Sequence, residues 1–465
     1  MLLRARWVQP IVASPIEDGA VVVRDGEIAA VGPYPALRQA FAVEAARELG
    51  NAILLPGFVN AHTHLDYTAM RGLLDDLPFL PWSRELTRLR LLVMGDDDLV
   101  ASARWGAVEA ARSGVTTLAD TSSTGAACRA LSEVGLRGIA YQETFGLSAA
   151  DAPAGVAALE EGLERLQRWA SPLVQPGVHP HTPFTVGPAL FAAAVRVARE
   201  GRLPLSVHLA ESEMEAEILL HGRGDLVGWM QRWDPGWTPP GLTPVRYLDE
   251  LGVLEARPLI AHAVQVDESD AAILARAGAT VAHCPKSNAK FGHGFAPLGP
   301  LRRAAVVVGL GSDGMASNDV MDPFEDMRAA VLVARGQARN FEALTAAEAL
   351  RLATLGGAEA LGLDRLVGSL EVGKRADLTA VSLEGAHLAA SSDPHAALVF
   401  AAHQTDVRFT MVDGVTLFDG QRVTTIDEPE ARRQVESVGR LLREARLAPH
   451  AAWSPATTST GKGLT

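Results

Sequence analysis

Histidine and aspartate residues far apart in the chain have the types and spacing that a metal site requires. His62 and His64 stand two residues apart, and on a β-strand this spacing points both imidazoles to one face. His208, His262 and Asp313 each end a short apolar run that predicts a strand. Alone, each has an ordinary explanation, since a histidine can be satisfied in a core and an aspartate can cap a helix. Together they indicate one metal ion bound at several strand ends.

Imidazoles with one carboxylate favour Zn²⁺ or Fe²⁺ over Mg²⁺ or Ca²⁺ as the bound ion. Such an ion lowers the pKa of a bound water to about 7, which suits hydrolysis at neutral pH. Glu211 follows His208 by three residues, so its carboxyl is either a second acid in the same cavity or a solvated loop residue. The chain has no H-E-x-x-H, P-C-x-x-C, P-loop, G-x-S-x-G or EF-hand motif.

Eight apolar runs, most of them followed by an amphipathic helical stretch, predict the elements that hold these residues. Near-continuous apolar runs are typical of parallel strands buried on both faces. Eight strand–helix units over about 250 residues indicate a (β/α)8 barrel, whose active sites lie at the carboxyl ends of the strands. An open doubly wound sheet is the alternative, but the glycine-rich turn that usually follows its first strand is missing. The expected barrel strands are residues 54–62, 114–120, 136–143, 174–181, 203–210, 257–264, 279–285 and 305–313.

The two ends of the chain consist of short β-branched runs separated by turns. Neither end has enough strands for a sheet of its own, so we expect residues 1–56 and 365–425 to form one small β-sandwich-like domain together. The barrel then covers residues 57–364, and residues 426–465 form a charged helix with a disordered tail. An insertion at 221–246 is either a loop that packs its own aromatic side chains or a substrate lid; it holds Trp229, Trp233 and Trp237.

Composition excludes several classes of protein. Lys and Arg number 42 against 55 Asp and Glu, a net charge of −13 without a long basic run, so nucleic acid is not an expected partner. Cys128 and Cys284 lie too far apart for a disulfide framework or a cysteine zinc knuckle. The first residues lack a secretory core, and no run of 18 apolar residues occurs. We expect a cytoplasmic protein that does not enter membranes, with a homodimer as the candidate assembly.

Several motifs in combination resemble the amidohydrolase superfamily over about residues 20–420. The nearest branch resembles mononuclear purine-type deaminases, which act on S-adenosylhomocysteine, methylthioadenosine or aminodeoxyfutalosine. The motifs are PGFVNAHTHLD (56–66), GVTTLADTS (114–122), HLAES (208–212), IAHAV (260–264), HCPKSNAKFGHGFAPL (283–298), GLGSDGMASN (309–318) and GSLEVGKRADL (368–378).

The resemblance implies a role for each matching residue. The metal ligands would be His62, His64, His208 and Asp313, with Asp313 also the general base. In the same way, His262 would orient a water, Glu211 would carry a proton to the ring nitrogen, and His181 would bind substrate. No lysine stands at the end of the fourth strand, so one divalent ion, zinc or iron, is expected rather than two.

The loop after the first strand bears on the substrate. Homocysteine-type deaminases have an F-E-E-W loop whose glutamate contacts ribose, whereas this chain has PFLPW (78–82), ending in Trp82. That loop and the E-x-E-I-L-L-x-G-x-G segment (215–224) look more like aminodeoxyfutalosine deaminases of menaquinone biosynthesis. Trp82 would then contact substrate, and a benzoate would need a cation. The candidate cations are Arg71, which we name first, and Arg84, Arg88 and Arg90.

We therefore expect a hydrolytic deaminase that releases ammonia from an amino-purine nucleoside, with 6-amino-6-deoxyfutalosine as the leading substrate. Adenosine, methylthioadenosine and S-adenosylhomocysteine are the alternatives within this chemistry. A triazine-type chlorohydrolase would use nearly the same residues. A non-enzymatic barrel that only binds a ligand is a further alternative, because fold alone does not fix function.

Overall fold

The computed structural model describes residues 1–41 and 46–447, which contain sixteen strands. The strands are β1 (Leu2–Val8), β2 (Ile16–Arg24), β3 (Glu27–Pro33), β4 (Ala46–Glu48), β5 (Ala52–Pro56), β6 (Phe58–Thr63), β7 (Val115–Ser122), β8 (Arg137–Thr144), β9 (Val174–Pro180), β10 (Ser206–Leu209), β11 (Leu259–His262), β12 (Thr280–His283), β13 (Val308–Leu310), β14 (Leu378–Ser382), β15 (Val407–Val412) and β16 (Val415–Phe418).

The α-helices connect these strands and cover their outer faces. They are α1 (Tyr34–Ala40), α2 (Phe79–Leu92), α3 (Asp96–Arg112), α4 (Ala126–Val134), α5 (Ala152–Gln167), α6 (Pro188–Gly201), α7 (Glu213–His221), α8 (Val227–Trp233), α9 (Pro244–Glu250), α10 (Glu268–Ala277), α11 (Pro285–Lys290), α12 (Leu298–Arg303), α13 (Met315–Asn318), α14 (Pro323–Ala338), α15 (Ala346–Arg351), α16 (Gly357–Ala360), α17 (Pro394–Ala396) and α18 (Glu428–Leu447). Short 3-10 or π turns lie at Leu65–Met70, Val253–Ala256, Phe341–Ala343, Leu352–Gly356, Ala386–Leu388, Ala397–Ala401 and Gln404–Asp406.

Both ends of the chain contribute to one small sheet, as the sequence predicts. Its order is β16-β15-β14-β5-β1-β2-β3, with β4 beside β1. The two ends meet where β14 pairs antiparallel with β5, Leu378 opposite Pro56. Asp25 and Gly26 both have positive φ angles, the conformation that a two-residue hairpin turn requires between β2 and β3. The residue boundaries given to the domains stay predictions.

Eight parallel strands form the second unit, in two four-stranded sheets of order β6-β7-β8-β9 and β10-β11-β12-β13. Val178 and Leu205 form a parallel bridge between the two sheets at one seam. At the other seam the backbone N–H of Asp313 donates to the carbonyl of His62, at 2.9 Å. This is the expected (β/α)8 barrel, with a ladder that is interrupted at both seams.

Several of the expected barrel strands are shorter in the structure, and two of them, 54–62 and 305–313, differ for a clear local reason. The run 54–62 is divided at Gly57 into β5, which belongs to the small sheet, and β6, which pairs with β7. A Cβ on Gly57 would lie 2.1 Å from a side-chain carbon of Thr116, so only glycine fits at the division. The eighth strand is much shorter than 305–313, because positive φ angles at Ala305 and Asp313 place both residues outside β13.

The outer elements complete the fold. Helix α18 packs on α3 and buries Val438 and Leu442. The predicted disordered tail lies outside the described residues.

In the insertion, Trp229 and Trp237 pack with Phe184, so these aromatic rings contact neighbouring apolar side chains. None of the described helices is both long and apolar enough to cross a membrane.

Candidate functional site

The first two histidines of the site come from the end of β6. His62 is the fifth residue of β6, and His64 is the first residue after the strand ends. The Nδ1 of His64 lies 2.6 Å from the carbonyl oxygen of Thr121, an acceptor, so Nδ1 carries the proton and Nε2 keeps its lone pair. His62 Nε2 is buried and has no hydrogen-bond partner among the described residues. Both rings therefore offer an Nε2 atom to the space between them.

His208 enters this space from β10, on the opposite sheet. Its ring centroid lies 4.9 Å from that of His62 and 5.5 Å from that of His64. The Nδ1 of His208 lies 2.9 Å from Nε2 of His179, which fixes the orientation of the ring. Burial lowers the pKa of both His62 and His208, so each ring is neutral, the form that binds a metal.

Asp313 supplies the carboxylate of the site. It follows β13 with a φ of 61°, a strained conformation for a residue with a Cβ. Its Oδ1 lies 3.7 Å from Nε2 of His62 and 3.5 Å from Nε2 of His64. Its Oδ2 accepts hydrogen bonds from the hydroxyls of Ser287, at 2.5 Å, and Ser317, at 2.8 Å. One oxygen is therefore held by the protein while the other faces the imidazoles.

The pKa of Asp313 follows from these neighbours. Burial alone would raise it, but the nearby imidazoles of His64 and His262 and the two serine hydroxyls hold the pKa below its usual range. The carboxylate is therefore ionised at neutral pH and can bind a cation or accept a proton.

His262 ends β11 with a φ of 74°, and its side chain faces the same cluster. Its Nδ1 lies 3.0 Å from Oδ1 of Asn288, an acceptor, so Nδ1 donates and Nε2 is free to accept. Nε2 of His262 lies 3.8 Å from Oε1 of Glu211. His262 thus stands between the carboxyl of Glu211 and the other imidazoles.

These donors fit one divalent metal ion. The ligand atoms of His62, His208 and His262 lie within 4.8 Å of one another, and so do those of His62, His64 and Asp313. The unpartnered Nε2 of His62 and the free Oδ1 of Asp313 are the atoms that such an ion would satisfy. Nitrogen and oxygen donors at these separations suit Zn²⁺ or Fe²⁺.

A second carboxyl lies beside the cluster. Burial, together with the charge of Asp313, raises the pKa of Glu211 to about 8, so this carboxyl is protonated at neutral pH. Its Oε1 also lies 3.9 Å from Nε2 of His293. Glu215 fixes the local backbone, since its two oxygens accept the N–H groups of Ala210 and Glu211, both at 2.9 Å. The arrangement places a proton donor, Glu211, and an ionised acceptor, Asp313, beside the same histidine cluster.

The remaining candidates lie at different distances from the cluster. His181 packs 5.1 Å from His208, ring to ring, and its Nδ1 contacts the hydroxyl of Thr185 at 2.8 Å. Burial, aided by the charges of His64 and Arg90, lowers the pKa of His181 to about 3. The His181 ring is therefore neutral.

Trp82 forms one wall of the cleft. Its Nε1 donates to the carbonyl of Ala316 at 3.1 Å, and its ring stacks with Phe79 and packs against Phe291. Phe79 in turn packs 4.9 Å from His293, which contacts Glu211. This wall offers a flat aromatic surface near the proton donor.

Arg71 does not reach the cluster, which corrects the expectation for it. The chain turns outward after the Leu65–Met70 segment, and the guanidinium of Arg71 pairs with Glu109 at the surface. Its side chain is 39% exposed.

Sequence reasoning gave no role to several residues that hold the site together. Asn288, Ser287 and His293 stand within the quoted motif HCPKSNAKFGHGFAPL, so a signal for them existed. Glu215 begins the segment 215–224, which served only to compare substrates. His179 stands in no quoted motif, and its contact with His208 depends on how two strands meet in space.

Comparison with known proteins places the chain in a family. Residues 53–417 match the amidohydrolase family, and residues 19–42 match a bacterial imidazolonepropionase-like composite domain. The chain belongs to the amidohydrolase family. The family match covers the barrel, the site residues and the late strands of the small sheet.

Three similar proteins show which members of the family this amidohydrolase resembles. A 5-methylthioadenosine/S-adenosylhomocysteine deaminase from Desulforudis audaxviator is 34% identical over 96% of this chain and 99% of its own. A zinc-bound adenosine deaminase from Xanthomonas campestris has a TM-score of 0.84 and 30% identity, covering 95% of this chain and 98% of its own. A zinc-complexed atrazine chlorohydrolase from Arthrobacter aurescens has a TM-score of 0.81 and 25% identity, over 94% and 99%. This amidohydrolase thus shares a fold with zinc enzymes.

Proposed function

We propose that this protein hydrolytically deaminates the amino-substituted ring of a purine nucleoside and releases ammonia. The observation that carries the proposal is the pair of carboxyls with opposed protonation at the histidine cluster. Glu211 is held protonated with a pKa raised to about 8, and Asp313 is held ionised. Hydrolysis of an aromatic amine needs both a proton donor and a proton acceptor on one cavity. The named activity of the similar deaminases supports the same chemistry.

Glu211 is proposed to donate its proton to the ring nitrogen beside the amino-bearing carbon. That carbon becomes electrophilic as the nitrogen is protonated. The Nε2 atoms of His262 and His293 lie 3.8 and 3.9 Å from Oε1 of Glu211, too far for hydrogen bonds in the absence of substrate. General acid help of this kind contributes on the order of 10²–10⁴-fold to a rate.

Asp313 is proposed to accept a proton from the attacking water, and His262 to orient that water through its free Nε2. His62, His64, His208 and Asp313 would hold a divalent ion, which supplies Lewis-acid activation of the water. Oxygen adds to the carbon, the amino group takes up a proton and leaves as ammonia, and the ring carbon becomes a carbonyl. No oxidant or reductant is needed.

For the exact substrate we propose 6-amino-6-deoxyfutalosine as the leading hypothesis. The PFLPW loop (78–82) supports it, because this loop lacks the acidic residue that would contact ribose in a homocysteine-type deaminase. The relatives named methylthioadenosine/S-adenosylhomocysteine deaminases favour the alternative. Both hypotheses use the same reacting ring.

The test is ammonia release from zinc- or iron-loaded protein with adenosine, methylthioadenosine, S-adenosylhomocysteine and aminodeoxyfutalosine. Preference for the last supports the leading hypothesis. Preference for S-adenosylhomocysteine or methylthioadenosine keeps the deaminase proposal and replaces its substrate. No ammonia from any of the four rejects the deaminase proposal.

A second candidate function is hydrolysis of a chloride from a triazine. The similarity to the atrazine chlorohydrolase over 94% of this chain favours it. Chloride release from atrazine at a higher kcat/KM than ammonia release from any of the nucleosides would establish this alternative.

A further inference from the structure

Four arginines are candidates to contact a charged part of the substrate, and the structure separates them. Arg71 pairs with Glu109 at the surface, and Arg88 forms two hydrogen bonds with Glu85 on its own helix. Arg84 is exposed on the same helix. Arg90 is the one whose guanidinium points inward, over the carboxyl ends of the first strands of the barrel.

Arg90 has far fewer partners than its chemistry demands. A guanidinium carries five N–H donors. Its Nη2 donates to the hydroxyl of Ser123, just after β7, and this is its one hydrogen bond within the described residues. Its Nε is buried without a partner, and it forms no ion pair with a described carboxylate. The charges of Asp66 and Glu143 stabilise this cation from a distance, but a buried N–H donor without an acceptor is costly unless a ligand supplies one.

Glu143 is the complementary group. It is the seventh residue of β8, its residue exposure is 6%, and its carboxyl forms no hydrogen bond or ion pair within the described residues. Burial raises the pKa of Glu143, while the charges of His64 and Arg90 act in the opposite direction. Arg90 and Glu143 therefore lie close enough for their charges to interact, and both retain hydrogen-bonding atoms that no described residue satisfies.

This end is separate from the reacting groups. Tyr67, whose ring stacks on His64 with centroids 5.5 Å apart, lies close enough to Arg90 to feel its charge. His181 also feels the charge of Arg90. Glu211 and His293 lie instead beside the aromatic wall of Phe79 and Trp82. A nucleoside with its base at Glu211 would direct its sugar and side group toward Arg90.

We propose that Arg90 and Glu143 form a recognition subsite for the part of the substrate remote from the reacting amine. Arg90 pairs with a carboxylate on the 5′ side group, and Glu143 accepts hydrogen bonds from the sugar hydroxyls. This proposal rests on the proposed deaminase function. It makes the substrate class an amino-purine nucleoside that carries an anionic side group, and it places the missing acidic sugar contact on β8 rather than in the PFLPW loop.

Two matched substrates test Arg90. S-adenosylhomocysteine and methylthioadenosine share adenine and ribose, but only the first carries a carboxylate. Arg90→Gln should lower kcat/KM for S-adenosylhomocysteine and for aminodeoxyfutalosine by about 10- to 100-fold, mostly through KM, because a charge-assisted hydrogen bond is lost. The same variant should change methylthioadenosine turnover by less than about threefold, and Arg90→Lys should recover part of the loss.

A second pair of substrates tests Glu143. Wild-type protein should prefer adenosine to 2′,3′-dideoxyadenosine, and Glu143→Gln should reduce that preference about tenfold, because a neutral amide accepts the hydroxyls less strongly. Arg84→Gln, on the exposed side of α2, is the matched control and should leave every ratio unchanged. Melting temperatures of all variants identify any that fold poorly.

The outcomes separate the two proposals. Equal losses on S-adenosylhomocysteine and methylthioadenosine in Arg90→Gln would mean that Arg90 only supports the fold, and the subsite is rejected. Wild-type activity confined to substrates without a carboxylate would also reject it, while the deaminase function stands. Should Arg90→Gln fold poorly, Arg90→Lys and Glu143→Gln still decide the question. Wild-type protein that releases no ammonia from any nucleoside rejects the deaminase function itself, and the subsite with it.

Discussion

The two ends of the active-site cavity differ in how well their polar atoms are satisfied. At the reaction end, formed by Asp313, His262 and Glu211, the protein holds the side chains of Asp313 and His262, and the backbone of Glu211, through hydrogen bonds. Asp313 accepts two serine hydroxyls, His262 contacts Asn288, and the backbone of Glu211 is fixed by Glu215. At the recognition end, formed by Arg90, Glu143, Asp66 and Asp120, buried polar atoms remain without partners among the described residues.

The recognition end still has a supporting framework of its own. Asp120 Oδ2 accepts the backbone N–H of Leu65 at 2.7 Å, and Asp66 Oδ2 accepts the hydroxyl of Ser122 at 2.8 Å. The second oxygen of each carboxyl, Oδ1, is buried and unpartnered. The framework thus fixes the turn after His64 and leaves one buried acceptor on each carboxyl unsatisfied.

This difference in hydrogen bonding indicates that the two ends have different functions. Groups that transfer protons must be in place before the substrate arrives, because preorganisation is what lowers the barrier. Groups that recognise a substrate gain affinity when the ligand, rather than the protein, satisfies them. The variants below are expected to affect chemistry at the reaction end without changing the choice of side group.

The largest effect is expected from Asp313→Ala. The change removes both a proposed metal ligand and the proposed proton acceptor, so bound metal should fall to background and kcat by at least about 10⁴-fold. Metal content by elemental analysis and ammonia release are measured on the same sample. Asp225→Asn, an exposed position in the insertion, serves as the control. Full metal content with normal turnover would remove Asp313 from the mechanism.

The next effect is expected from Glu211→Gln, which keeps the size of the side chain and removes its proton. We expect metal content to remain near wild type while kcat falls about 10²- to 10⁴-fold. The fall should be the same for S-adenosylhomocysteine and methylthioadenosine, unlike that of Arg90→Gln. Glu213→Gln, an exposed neighbour in α7, should behave as wild type. Near-normal turnover in Glu211→Gln would contradict the proton-donor role.

The sequence predicted the barrel and the positions of the reaction-end residues because both follow from local pattern. An apolar run identifies a buried strand, and a polar residue at its carboxyl end then points into the cavity. His62, His208 and Asp313 are found in this way, and the structure brings their side chains together. Their chemical roles stay predictions.

The recognition end could not be predicted in the same way. Arg90 lies within an amphipathic helix with other arginines, and only its contact with Ser123, just after β7, separates it from Arg84 and Arg88. The division of the first strand at Gly57 was missed for a related reason. The apolar run is continuous there, and only its hydrogen-bond partners change.

A smaller effect is expected from a residue that contacts a proposed metal ligand rather than the metal itself. His179→Ala removes the ring that orients His208, and partners of this kind change metal affinity by about 10- to 100-fold. The measurement is the concentration of a chelator that removes half of the bound metal. His221→Ala, on an exposed helix end, gives the baseline. If the chelator curve of His179→Ala matches that baseline, orientation of His208 does not depend on His179.

The last expected effect is on stability rather than activity, and it concerns Asp326, a buried carboxyl that is not fully hydrogen-bonded. Asp326 lines a small internal cavity beside Asn60 and Ser312, and its Oδ1 has no partner within the described residues. Burial raises its pKa to about 7. Because the folded protein holds this proton more tightly than the unfolded chain, the stabilising contribution is complete below pH 4 and is lost as the pH rises toward 7.

Asp326→Asn should remove this dependence on pH. Relative to the variant, the wild-type free energy of unfolding should fall by at most about 1.4 kcal/mol for each pH unit between about 4 and 7, and the difference should be constant above that range. Denaturant unfolding of metal-loaded protein at pH 5, 6, 7 and 8 measures it, with turnover per bound metal expected to be unchanged. A constant difference from pH 5 to 8 would show that Asp326 is ionised throughout. The protein would then stabilise this buried carboxylate better than its hydrogen bonds indicate.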